Sequence, residues 1–108
     1  MALQEEIQRA SVIVMAQATS VTATQRLAET PDRYKWVLRL IQVNISVENV
    51  LKGEVSRPNL TFYCYYPEYG YDGPPLNLIG PTTRGIFFLQ QDQNVYRSVN
   101  DVSLTSVF

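Results

Sequence analysis

The chain has 108 residues, 45% of them hydrophobic and 18% charged, with a net charge of −1; it is long enough to bury roughly two-thirds of its unfolded surface and too sparsely charged to be disordered. That balance exerts no electrostatic pull towards nucleic acid or an anionic membrane. With no histidine and only one cysteine, Cys64, the sequence excludes a Cys/His zinc site, Ser-His-Asp or Cys-His catalysis and an intrachain disulfide.

Leu3, Ile7 and Ala10 fall at i, i+4 and i+7, and Glu5 and Arg9 at i, i+4, so residues 2–10 read as a short helix with one apolar stripe. The same residues are too polar for a signal peptide, and no apolar run approaches the ~20 residues of a membrane helix. Val12–Val21 (VIVMAQATSV) is a strand with Ala16 and Ala18 on the face of Val12 and Val14, small side chains that predict a close crossing by another element. Residues 22–33 are polar, contain the turn signal Pro31-Asp32, and read as a hairpin connection with a little helix around Gln25–Glu29.

Tyr34–Gly53 (YKWVLRLIQVNISVENVLKG) is the most informative stretch. Trp36, Leu38 and Leu40 alternate with Val37 and Arg39; the apolar phase then slips at Leu40–Ile41, after which Ile41, Val43, Ile45 and Val47 alternate with polar residues. A second slip falls near Glu48–Asn49. Strand side chains repeat every two residues, so each slip predicts a bulge or bend. A long strand bent twice is what a small closed barrel needs, with Ile41, Val43, Ile45 and Val47 inside and Trp36 buried.

Asn59–Tyr66 (NLTFYCYY) sets Leu60, Phe62, Cys64 and Tyr66 on one face and Thr61, Tyr63 and Tyr65 on the other. Residues 67–85, rich in glycine and proline, form a loop longer than most connections. Ile86–Gln90 is a short buried strand, Gln91–Asn94 a polar turn, and Val95–Val99 its hairpin partner. Asn100-Asp101 turns again before a last piece containing Val102, Leu104 and Phe108. The sum is an all-β chain: a five-stranded, OB-like Greek-key barrel with a short N-terminal helix, one domain over residues 1–108, expected to be part of a longer protein.

The short helix running into Ala10–Ser20, the long strand closing in Val47–Gly53, and Leu60–Tyr66 leading into a Pro/Gly loop, followed by Gly85–Leu89 and Val95–Val99, together resemble the OB-fold of netrin-like modules, the group that includes the tissue inhibitors of metalloproteinases. The resemblance implies the fold, a binding habit, and an extracellular or periplasmic setting. It does not carry protease inhibition, because the chain begins Met1-Ala2 and lacks both the cysteine near the start and the disulfide framework of those inhibitors.

Tyrosines cluster at Tyr63, Tyr65, Tyr66, Tyr69 and Tyr71. Tyr63, Tyr65, Tyr69 and Tyr71 are the candidate ligand-binding residues, since tyrosine offers a rigid face with a polar tip and OB-folds bind strands of nucleic acid or sugar on such faces; the competing account is that they cover the outer face of a strand. Lys35, Arg39, Lys52, Arg57, Arg84 and Arg97 are scattered among ten acids and read as a solvated surface. Glu68, Asp72, Asp92 and Asp101 fit turn chemistry better than calcium or acid/base work. The acceptor-like triplets Asn44-Ile45-Ser46 and Asn59-Leu60-Thr61 fit chance. Cys64, flanked by Phe62 and Tyr66, reads as an inert core thiol.

These readings converge on a non-enzymatic binding or interaction module of an exported or cell-envelope protein, with no cofactor and no membrane insertion. Its expected partner is another protein, and weak or no binding to nucleic acid is expected. The alternative is a single-stranded nucleic-acid-binding OB domain.

Overall fold

The computed structural model describes residues 3–29, 37–69 and 79–102. It contains a helix, α1 (Leu3–Arg9), and five strands: β1 (Val12–Glu29), β2 (Val37–Lys52), β3 (Asn59–Tyr69), β4 (Arg84–Asp92) and β5 (Val95–Val102). The strands close into a barrel in the order β1-β2-β3-β5-β4. β3 and β5 run parallel and every other neighbouring pair is antiparallel. This is the expected OB-like Greek-key barrel with its N-terminal helix.

The period-two pattern fills the interior. Val12, Val14, Ala16 and Ala18 from β1 meet Ile41, Val43 and Ile45 from β2, Leu60, Phe62 and Cys64 from β3, and Phe87 and Leu89 from β4. Phe62 and Phe87 pack with ring centroids 5.6 Å apart and planes tilted by 59°, a favoured aromatic geometry. Burying each of these rings contributes about 1.5–3 kcal/mol. Ala16 lies opposite Val47 on one side and Gly85 on the other. The small residues thus mark the place where β1 is clasped between two strands and the barrel closes.

The phase slips of β2 coincide with irregularities in its ladder to β1. Pairing passes from Met15↔Asn49 to Ala16↔Val47, skipping Glu48, and from Ala23↔Ile41 to Leu27↔Arg39, skipping Leu40. A third irregularity, at Leu51, lies between Ile13↔Lys52 and Val14↔Val50. The ladder to β3 runs unbroken from Leu38↔Pro67 to Ser46↔Asn59. The slip at Leu40 is therefore absorbed against β1 alone. It leaves Leu40 on the outer face, opposite Tyr65, while Ile41 points inward opposite Cys64.

Several sequence expectations need correction. The polar stretch 22–33 is not a hairpin connection over its first part, and Gln25–Glu29 is not helical: β1 continues to Glu29. Beyond Gln17↔Arg84 the strand loses β4 as a neighbour and its ladder runs to β2 only; Ala18 and Val21 still meet the core, but from Thr22 onward most side chains are exposed and the apolar alternation lapses. β3 extends to Tyr69 and β4 begins at Arg84, which shortens the 67–85 loop at both ends. Asn100 and Asp101 belong to β5 rather than to a turn. Pro31-Asp32, Trp36 and the piece containing Leu104 and Phe108 lie outside the described residues.

The helix docks differently from its apolar stripe. Ala10 is buried with Ile13, Phe88 and Val99 on the outer face of the sheet, and Glu6 is buried as well, while Leu3 and Ile7 remain 49% and 42% exposed. Two anchors hold the end of α1: Ser11 N donates to Leu89 O at 2.8 Å, and Lys52 Nζ donates to Ile7 O at 2.7 Å. A cation on the last carbonyls complements the helix dipole. The C-terminal end of α1 is thus anchored on the sheet, while Leu3 and Ile7, half-exposed, line an open cleft with Ile13, Ile86 and Phe88 of the same face.

Candidate functional site

A groove of about 330 Å³ opens on the outer face where β2, β3 and β5 meet. Its floor is Tyr63 and Tyr65 of β3 with Leu40 of β2; its walls are Arg26 of β1 and Val95 and Arg97 of β5, with Cys64 also reaching the lining. Alternation on β3 directs both tyrosines outward once Phe62 and Cys64 are claimed by the core. Tyr63 Oη donates to Gln42 Oε1 at 3.2 Å across the β2–β3 ladder, which fixes one ring. The parallel ladder to β5 passes from Tyr63↔Arg97 to Tyr65↔Val102, and this slip loosens the seam beside Cys64.

Thr24 organises the opposite wall. Its hydroxyl donates to Leu40 O at 2.7 Å and accepts from Arg26 N at 3.2 Å, and its carbonyl accepts from Arg39 Nη1 at 2.8 Å. One side chain therefore stitches the irregular step between β1 and β2 and sets the backbone from which Arg26 projects. Arg39, one of the scattered cations, serves this structural step, as Lys52 serves α1. Arg84 pairs with Glu48 at 2.8 Å, and Lys35 lies outside the described residues.

A second groove, of about 480 Å³, continues along β3. The first β3–β5 pair is Phe62↔Tyr96; before it the strands part, and Asn59 and Thr61 face Gln91, Asn94 and Tyr96 across the gap, with Arg57 at the end. No carboxylate lines either groove among the described residues. Asp92 lies 3.7 Å from Arg97, but both side chains are largely exposed, and such a pair is worth little.

Cys64 is a free, buried thiol. Burial pushes its pKa from 9.0 up to about 12, so the thiolate that would act as a nucleophile is not formed near neutral pH. Its reading as an inert core residue agrees with this geometry. Among the described residues, no group of three or more His, Cys, Asp or Glu is placed to hold a metal ion, and no helix is long and apolar enough to cross a membrane. Asn44 is engaged on both sides of its amide, donating to Ser20 Oγ at 2.7 Å and accepting from Thr61 Oγ1 at 2.5 Å. Asn44 is thus the middle of a polar ladder from Ser20 across to Thr61.

Of the four tyrosines singled out from the sequence, the structure brings Tyr63 and Tyr65 together in one groove. Tyr69 belongs to the end of β3, its side chain lying outside the description, and Tyr71 lies outside the described residues altogether. Sequence reasoning missed Arg26, because residues 22–33 read as a connection, and it left Arg57 and Arg97 among surface charges. One signal was available: Leu40 is apolar yet out of phase with Ile41, and an apolar residue on the outward face of a bulged strand marks a surface depression. Compared with protein-family models, characterised proteins and solved structures, the chain matches none.

Proposed function

We propose that this chain is a non-enzymatic binding module whose ligand lies across Tyr63 and Tyr65. The observation that supports the reading is the convergence of two outward tyrosines, an out-of-phase Leu40 and the guanidiniums of Arg26 and Arg97 on one concave surface. Rigid aromatic faces beside arginines are the chemistry of recognition surfaces. The surface occupies the strand 2–3 face between the first and last hairpins, where OB-folds hold oligonucleotides and oligosaccharides. The sequence resemblance implies a binding habit and an extracellular or periplasmic setting, which agree with such a module in an exported or cell-envelope protein.

A second reading, single-stranded nucleic acid, draws on the same two arginines, since strand binding combines cations with stacking platforms. The test of the main reading is amide chemical-shift mapping of the ¹⁵N-labelled chain against three probes: hexagalacturonate, the single strand dT12 and a Glu-rich decapeptide. Shifts centred on Arg26, Tyr63, Tyr65 and Arg97 with any probe are the expected result. Saturation of all three without a shift in that groove, or shifts centred on a different surface, overturns it.

A further inference from the structure

The outward residues of β3 form one track. Asn59, Thr61, Tyr63 and Tyr65 succeed one another on the same face, the first two lining the second groove and the last two the first. At ~3.3 Å per residue that track is about 20 Å long. The adjacent residues Asn94 and Val95 of the last hairpin wall the two grooves in turn. Arg57 stands at one end, Arg97 beside Tyr63, and Arg26 beyond, and no carboxylate lines the path among the described residues. In a chain whose net charge is −1, three arginines follow this path, with one acid, Asp92, 3.7 Å from Arg97 at its margin.

From this track we infer that the ligand is an extended acidic polysaccharide lying along β3 across both grooves, an inference that rests on the binding reading above. The charge calls for an anion, and the lining decides which kind. One half of the path offers aromatic faces, on which the apolar face of a sugar ring or a base packs equally well. The other half offers the amides of Asn59, Gln91 and Asn94, and the Thr61 hydroxyl as an acceptor only, since its proton is given to Asn44 Oδ1. Amides both donate and accept, matching sugar hydroxyls, which do the same. A nucleic acid strand asks for stacking on aromatic faces along the whole path, and β3 offers them over only half of it. A polymer with one carboxylate every sugar or two meets sparse arginines and hydroxyl-matching amides together.

The experiment measures affinity and shift maps for hexagalacturonate, the uncharged maltohexaose, dT12 and a Glu-rich decapeptide, using the intact chain and the exposed-residue variants Arg57→Gln and Arg97→Gln. The expected result is hexagalacturonate binding that moves resonances in both grooves, from Asn59 and Asn94 to Tyr65. Each variant should weaken it by about three- to tenfold, as loss of a partly exposed charge-assisted contact does, with an unchanged spectrum elsewhere. Equal affinity for maltohexaose, tighter binding of dT12 or of the acidic peptide, or shifts confined to the Tyr63–Tyr65 groove each overturn the inference while leaving a binding module standing. No shift in the groove with any charged probe removes the binding reading itself.

Discussion

A Cβ added to Gly53 would collide with the main-chain carbonyl oxygen of Ser11 and crowd Val12. Gly53 also holds φ at +81°, a left-handed conformation that side chains resist. The residue that ends β2 therefore lets the chain turn at the point where α1 passes into β1, and the preceding Lys52 reaches back to Ile7 O. The Val-Leu-Lys-Gly ending has a physical cause in this one junction.

Gly53→Ala should accordingly destabilise the protein by about 1–3 kcal/mol, the usual cost of a backbone held in such a region, read as a lower denaturation midpoint. Gly80→Ala is the control, because its added Cβ would meet only Thr83 Oγ1 at 3.7 Å, ordinary contact. Equal effects of the two substitutions would contradict the close approach.

The β4–β5 turn supplies a change of the opposite sign. Gln93 has φ of 59° with a side chain to accommodate. Glycine takes that conformation without a Cβ penalty, and turn positions of this kind favour it. Gln93→Gly should raise stability by about 0.5–1 kcal/mol, and a thermal melt checks it. A lowered midpoint would mean that Gln93 makes contacts worth more than its backbone strain.

What the sequence made legible was the part of the fold governed by period-two burial. Ile41, Val43 and Ile45 face the core, and the irregularities at Leu40 and Glu48 fall where the apolar phase slips. The part of β1 beyond Val21 was hidden because it pairs with β2 alone and carries mostly exposed side chains. Of the expected helix stripe only Ala10 is buried, Leu3 and Ile7 staying half-exposed over the same face while Glu6 is buried, a placement the apolar pattern alone does not reveal. Tyr63 and Tyr65 were legible as an outward pair. Arg26 was not, because only the Thr24 stitch across an irregular ladder brings it to the same groove.

Cys64 should report its burial through pH. Its folded pKa, about 12, lies above the ordinary 9.0, so the folded state holds the thiol proton more tightly than the unfolded state. Stability is then fully present below about pH 9 and is lost as pH rises towards 12, at about 1.4 kcal/mol per unit. Cys64→Ala removes this dependence, so the stability gap between parent and variant should shrink over that window. Thiol labelling gives the companion measurement: slow in the native protein, fast in denaturant. Rapid stoichiometric labelling of the folded chain would turn the β3 faces over and take Tyr63 and Tyr65 off the surface.

The last prediction separates the stitch from the groove it shapes. Thr24→Val keeps the branched side chain but removes the hydroxyl that meets Leu40 O and Arg26 N. Thr24 is only partly buried, so water relieves some of the loss, and about 1 kcal/mol of destabilisation is expected. The amide resonances of Arg26 and Ile41, on either side of the broken step, should move with it. Arg26→Gln, an exposed position, should change stability by less than about 0.5 kcal/mol while weakening any anionic ligand of the groove. If Thr24→Val leaves those amides in place, the irregular step is held by the Arg39 contact to Thr24 O, and Arg39→Gln should then move them instead.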